Sequence, residues 1–127
     1  MVDRVETHDS TAVIVVDTSG IIRYWSPGAT ALFGHRDPTG RSLDVIVPDE
    51  FRDRHWAGFH RAMTTGESRI SGGRLNIPVC CADGEVRSFP GTFSILTDGH
   101  GRPVGACGAW SQRRGDEQPF TPIEPLT

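Results

Sequence analysis

Two histidines that could bind a ligand lie five positions apart, His55 and His60. Apolar residues recur around them at intervals of three and four, which predicts one amphipathic helix. His55 falls on its apolar stripe, between Phe51 and Phe59. His60 falls on a neighbouring face, beside Trp56. An imidazole on an apolar stripe is either a ligand or a core histidine that bonds a backbone carbonyl. His55 is therefore the favoured candidate ligand, and His60 is the rival.

The other reactive side chains form no recognisable catalytic or metal-binding pattern. The cysteines lack CxxC spacing, and two of them are adjacent, so one of that pair should face the core and the other should face away. They are Cys80, Cys81 and Cys107. The remaining histidines, predicted to be solvated, are His8, His35 and His100. No Ser-His-Asp order, phosphate loop or carboxylate pair is present, so any enzymatic activity should come from a cofactor.

Length and charge exclude several classes of protein. The chain has 127 residues, enough for one domain, and 23% of them are charged, with a formal net charge of −3. This balance argues against nucleic-acid binding, which needs clustered Lys and Arg. No apolar run approaches the roughly 20 residues of a membrane span, and the N-terminus lacks the apolar core of a secretion signal. We expect a cytoplasmic protein.

The first half of the chain predicts a hairpin followed by two helices. Residues 12–16 form an apolar strand, the turn at residues 17–20 follows, and residues 21–25 pair back. Ser26 and Pro27 start a short helix that ends at Gly34. Asp49 is predicted to cap the helix that carries the two histidines, and this helix ends at residues 64–66.

The second half predicts three more strands. Residues 74–81 contain Pro78, which indicates an edge strand or a bulge. Turns at residues 82–85 and 98–101 separate it from strands at 86–96 and 103–110. The predicted fold is α+β, with a five-stranded antiparallel sheet and helices packed on one face. Residues 11–112 form this domain, residues 1–10 are an N-terminal flank, and residues 113–127 are a Pro-rich tail expected to be flexible.

This order of elements resembles a PAS domain from about Ala12 to Trp110. The segments VDTSGIIRYWSPGATALFG and ADGEVRSFP carry the resemblance, together with the long helix ending in TTG and the Gly-rich last strand. PAS domains bind haem, flavins, organic acids, other proteins or nothing. The N-C-R-F-L-type helix of the light-sensing flavin branch is missing. Phe89 and Trp110 are expected to pack in the core, although either could line a pocket.

The segment VPDEFRDRHWAGFHRAMTTG is similar to the haem-binding PAS domain of oxygen-sensing histidine kinases from nitrogen-fixing bacteria. The resemblance implies haem b with His55 as the axial ligand of the iron. It also implies that Arg74 contacts the bound ligand or a propionate, if one residue is dropped at residues 72–73. Arg69 stands where the family has a histidine near a propionate. The other residues assigned to the haem pocket are Phe51, Phe59, Arg61, Phe93 and Ile95.

Three functions follow from this resemblance. PAS sensors transmit their signal through a C-terminal helix, and three prolines between residues 119 and 125 forbid a continuous helix there. The chain is therefore expected to be complete and to act alone. It then resembles the stand-alone haem-PAS lyases of N-nitroglycine, with ferrous haem acting on a small nitro compound that Arg74 orients. The alternatives are a sensor of O2, NO or redox state that acts through a partner protein, and a cofactor-free interaction module. A homodimer is expected in each case.

Overall fold

The computed structural model describes residues 11–67 and 74–112. These residues form five strands and two helices, and two short 3₁₀ turns, Leu43–Val45 and Asp49–Phe51, precede the second helix. The elements are β1 (Ala12–Val16), β2 (Ile22–Trp25), α1 (Pro27–Phe33), α2 (Arg52–Thr65), β3 (Arg74–Cys80), β4 (Val86–Thr97) and β5 (Pro103–Trp110). The strands form one antiparallel sheet in the order β2-β1-β5-β4-β3. This confirms the predicted α+β class and places β3, with its proline, at an edge.

Helix α1 begins and ends where its sequence signals predict. The Ser26 hydroxyl accepts hydrogen bonds from the backbone N–H of Ala29, at 3.1 Å, and of Val13, at 2.8 Å. Pro27 occupies the first turn. Gly34 ends the helix at φ 88°, a conformation that costs glycine little, and its N–H donates to the Thr30 carbonyl. Ser26 thereby joins the helix start to β1.

The predicted capping of α2 by Asp49 is wrong. Pro48 accepts a 3₁₀-type hydrogen bond from Phe51 N–H, so Asp49 lies inside a tight turn instead of at the helix start. Helix α2 begins only at Arg52, and Phe51, which precedes it at ψ 1°, supplies no capping side chain. The Asp49 carboxylate instead pairs with the Arg52 guanidinium at 3.2 Å. Among the described residues, no helix is long and apolar enough to cross a bilayer.

The core lies between the helices and the inner face of the sheet. Ala12, Ile14 and Val16 alternate inward from β1, as expected for a strand buried on one face. Phe33 of α1 contacts the rings of Phe89, at 5.2 Å between centroids, and Trp110, at 5.5 Å. The buried positions of Phe89 and Trp110 agree with the core packing predicted for them.

Two glycines make room for Trp110 on the inner face. A Cβ added to Gly91 would meet Trp110 Cδ1 at 2.8 Å. A Cβ added to Gly108 would lie 2.5 Å from Trp110 Cη2 and 3.1 Å from Phe93 Cε1. A strand glycine often marks such a close approach. The indole of Trp110 therefore lies close over the backbone of β4 at Gly91 and of β5 at Gly108.

Substituting Gly20 should destabilise the fold more than substituting Gly40. Both glycines have positive φ, 78° and 91°, so alanine at either position incurs about 1–2 kcal/mol of backbone strain. Only Gly20 also lies against the Trp56 indole, whereas nothing lies within 4 Å of a Cβ at Gly40. Gly20→Ala should therefore lower the free energy of unfolding by about 1–3 kcal/mol more than Gly40→Ala, through overpacking. Urea unfolding measures both, and equal losses would mean that Trp56 does not depend on this glycine.

Candidate functional site

The imidazole of His55 lies half-buried against aromatic rings of its own helix. Its ring centroid is 4.7 Å from that of Trp56 and 6.2 Å from that of Phe59, whose plane is tilted by only 18° from the imidazole. Its Nδ1 atom is buried and has no hydrogen-bond partner within the part of the chain that the structure describes. An ordinary core histidine bonds a backbone carbonyl, and no described carbonyl bonds this nitrogen of His55.

Burial keeps the His55 ring uncharged at neutral pH. Removal from water lowers the pKa of His55 from its ordinary value near 6.5 to about 4. The nearby Asp44 carboxylate opposes this shift, and His60 adds slightly to it. A neutral imidazole is the form that binds a metal ion. His55 thus presents a lone pair without having to lose a proton first.

Trp56 holds the first turns of α2 in place. Its indole N–H donates to the Asp44 carboxylate at 2.7 Å. The Arg52 guanidinium reaches the carbonyls of Asp44, at 3.2 Å, and Val47, at 3.3 Å. The turn Leu43–Val45 is thereby joined to the helix that carries His55. Sequence reasoning missed this contact, because Asp44 and Trp56 are twelve residues apart and no local motif links them.

The structure places the rival ligand, His60, at the exposed surface. Its ring stacks on the outer side of Trp56, with 5.8 Å between centroids. Of the two histidines, only His55 therefore carries a buried, unpartnered nitrogen in the described structure.

The other predicted pocket residues are only partly brought together. Phe59 is buried, and Phe51 and Arg61 of the same segment are half-buried. On the sheet, Ile95 is half-buried, and the Phe93 ring lies 5.6 Å from that of Trp110. Arg74 begins β3 and pairs with Thr92 of β4. Arg69 lies outside the described residues, and the role of Arg74 stays a prediction.

His35 corrects one expectation. It was predicted to be solvated, but it is half-buried, with its Nε2 3.0 Å from the Cys80 carbonyl and its ring 5.9 Å from that of Trp25. The cause is tertiary: the Phe33 carbonyl accepts from Ala82 N–H, which brings the end of α1 onto the end of β3. His100 is exposed as predicted, and His8 lies outside the described residues.

The adjacent cysteines separate as predicted for neighbours. Cys81 is buried, with 4% of its surface exposed, and Cys80 is half-buried. Within residues 11–67 and 74–112, no three His, Cys, Asp or Glu side chains group closely enough to hold a metal ion. A metal ion bound by His55 would therefore take most of its donors from outside the described side chains, for example from a cofactor.

The described residues fit haem as such a cofactor. A haem needs one neutral imidazole, apolar walls and cations for its propionates. His55 supplies a neutral ring with a buried, unpartnered nitrogen, and the aromatic rings of Trp56 and Phe59 surround it. Arg61 is half-buried two residues beyond Phe59 and makes no ion pair with any described residue.

Comparisons with known proteins give the family context. The profile of the PAS fold matches residues 3–113. A protein of Azorhizobium caulinodans is 37% identical over 87 residues, and the sensor protein FixL of Bradyrhizobium diazoefficiens is 31% identical over 104 residues. These matches cover 66% and 68% of this chain but only 12% and 21% of the two relatives, so the chain corresponds to a small part of each.

A solved structure agrees on the fold. The PAS domain of a protein from Colwellia psychrerythraea superposes with a TM-score of 0.68 and 17% identity. The match covers 82% of this chain and 86% of that domain. At this identity the likeness concerns the fold alone.

The stability of the protein should fall between pH 6.5 and pH 4. Because the pKa of His55 drops to about 4 on folding, the unfolded chain binds a proton in this range that the native chain does not. The free energy of unfolding should then be lower at pH 4.5 than at pH 7, with about 2 kcal/mol of the loss due to His55. Urea unfolding at both pH values measures it. His55→Gln should remove this part of the loss, and His60→Gln, at an exposed site, should retain it. Identical pH profiles for wild type and His55→Gln would contradict the shifted pKa.

Proposed function

This chain belongs to the PAS family, and we propose that its PAS domain binds haem b through His55 and serves as a sensory module. One relative is a sensor protein, which supports the sensory part of the proposal. The observation that carries the haem part is the buried Nδ1 of His55, which has no partner in the described structure. Burying a polar atom without a partner costs about 1–3 kcal/mol. The unpartnered nitrogen of His55 therefore favours a bound group that interacts with the imidazole ring.

The protein would bind the haem from the side of helix α2 and cover its opposite side with residues of the sheet. His55 would hold the iron, and Phe51 and Phe59 would flank the ring on the helix side. Arg61, Arg69 and Arg74 are the cations proposed for the propionates or the bound ligand. Phe93 and Ile95 of β4 would cover the opposite side. The haem itself would supply an open iron position for a diatomic ligand.

The sensory function is favoured over the lyase function. The relatives are several times longer than this chain, so the point at which this sequence ends does not bear on how a signal leaves the domain. The lyase interpretation depended on a complete chain, and no described contact favours it independently. It stays a prediction, and nitrite release from N-nitroglycine by the reduced protein, faster than by free haem, would support it. Failure to bind haem would leave the cofactor-free interaction module.

A homodimer is proposed as the working form. Tyr24 of β2 lies opposite Val15 of β1, and Val15 alternates with the core-facing Ile14 and Val16. Tyr24 is 49% exposed, so the outer face of the sheet offers aromatic surface to a second copy. Association through this face, a signalling partner and a cytoplasmic location all remain proposals.

The purified protein should take up haem b with one-to-one stoichiometry. Titration with haemin should give a sharp Soret band that shifts on reduction. His55→Ala should abolish stoichiometric uptake, because it removes the axial nitrogen, whereas His60→Ala should leave uptake intact. His55→Gly supplemented with imidazole should recover the band, which separates loss of the ligand from loss of the fold. Uptake that is unaffected in His55→Ala would refute the proposed ligand.

Substituting Arg74 tests whether its guanidinium reaches the bound ligand. A hydrogen bond from a charged donor contributes about 1.5–3 kcal/mol, so Arg74→Ala should speed oxygen dissociation about ten- to a hundredfold. Stopped-flow displacement of oxygen measures the rate. Arg87→Ala is the matched control, since Arg87 pairs with Asp83 at 2.8 Å on an exposed turn. Equal oxygen dissociation rates in both variants would mean that Arg74 does not contact the bound ligand.

A further inference from the structure

The three tryptophans differ in what their indole N–H groups bond. Trp25 donates to the Thr30 hydroxyl at 2.9 Å, and Trp56 donates to the Asp44 carboxylate at 2.7 Å. Trp110 has a buried Nε1 with no hydrogen-bond partner in the described structure, although only 3% of the residue is exposed. Buried donors are nearly always bonded, because an unbonded one loses its interaction with water without compensation. The N–H of Trp110 therefore calls for an acceptor that the described residues do not supply.

The position of Trp110 tells where such an acceptor would lie. Trp110 ends β5 on the inner face of the sheet, beside Phe93, and α2 packs against β5. His55 stacks on Phe59, and Phe59 and Trp110 belong to the same core cluster. If His55 binds a haem from the helix side, the opposite side of the haem faces the inner face of the sheet. A small ligand bound on that side would meet the surface formed by Phe93 and Trp110.

We propose that Trp110 donates a hydrogen bond from its indole N–H to a small, uncharged ligand bound on the sheet side of the haem, and so favours dioxygen over carbon monoxide. This proposal rests on haem binding through His55. The other inner-face indole, that of Trp25, already bonds Thr30.

The chemistry of the indole specifies the class of ligand. An indole N–H is a neutral donor and cannot accept a hydrogen bond or neutralise a full negative charge. It therefore suits an acceptor atom with partial negative charge. Bound dioxygen carries more negative charge on its outer atom than bound carbon monoxide does, and hydrogen bonds strengthen with charge on the acceptor. The N–H should thus slow the loss of dioxygen more than the loss of carbon monoxide.

Trp110→Phe in the ferrous, haem-loaded protein tests this inference, with Trp25→Phe as the matched control. Both changes remove a buried indole, but the Trp25 N–H has its partner inside the protein. Trp110→Phe should speed oxygen dissociation about two- to tenfold, as expected for one neutral hydrogen bond, and should change carbon monoxide dissociation by a smaller factor. Trp25→Phe should leave the ratio of the two rates unchanged.

A second measurement does not depend on the variant folding. In ¹⁵N-labelled wild-type protein, the Trp110 indole N–H signal should move downfield in the dioxygen complex relative to the carbon monoxide complex, and the other two indole signals should stay. The signals are assigned from Trp25→Phe and Trp56→Phe. Normal haem uptake with equal rate ratios and an unmoved Trp110 signal would overturn this inference and leave the proposed function intact. Absence of haem uptake would overturn both.

Discussion

The position of His55 depends on how the start of α2 is attached to the rest of the domain. That helix lacks a capping side chain at its N-terminus, and contacts of Trp56 and Arg52 attach its start instead. Trp56 donates to Asp44 and packs on Gly20, which joins the helix to the turn Leu43–Val45 and to the β1–β2 hairpin at once. Because His55 is the preceding residue, the same attachment turns its imidazole towards the core side of the helix.

Sequence reasoning succeeded where a signal is local. The Ser26-Pro27 start, the glycine stop of α1 and the turn at residues 82–85 each depend on a few neighbouring residues, and the structure has all of them. Asp49 also resembled a local cap, but a 3₁₀ turn that begins after Pro48 includes Asp49 and precedes the helix. Strand limits differed by about one residue, because pairing partners decide where a ladder ends.

The candidate site was predictable only in part, because it depends on contacts between distant segments. The apolar stripe identified His55 as a buried imidazole, but its lowered pKa and its unpartnered nitrogen follow from packing that no spacing encodes. His35 was misjudged for the same reason, since the carbonyl that it contacts lies 45 residues further along the chain. The N–H of Trp110 could not be identified from sequence, because all three tryptophans look alike until their neighbours are known.

The two edges of the sheet restrict how copies of this domain can assemble. Along β2, the Ile22 N–H donates to the Arg41 carbonyl, and Gly40 N–H donates back to the Ile22 carbonyl, so a loop already occupies that edge. Along β3, Pro78 has no N–H, and the Cys80 N–H donates to Ile46. Edge-to-edge strand addition, the usual route from a sheet to a fibre, is therefore obstructed on both sides. Copies of the domain can therefore pack closely in an assembly without pairing their edge strands into one continuous sheet.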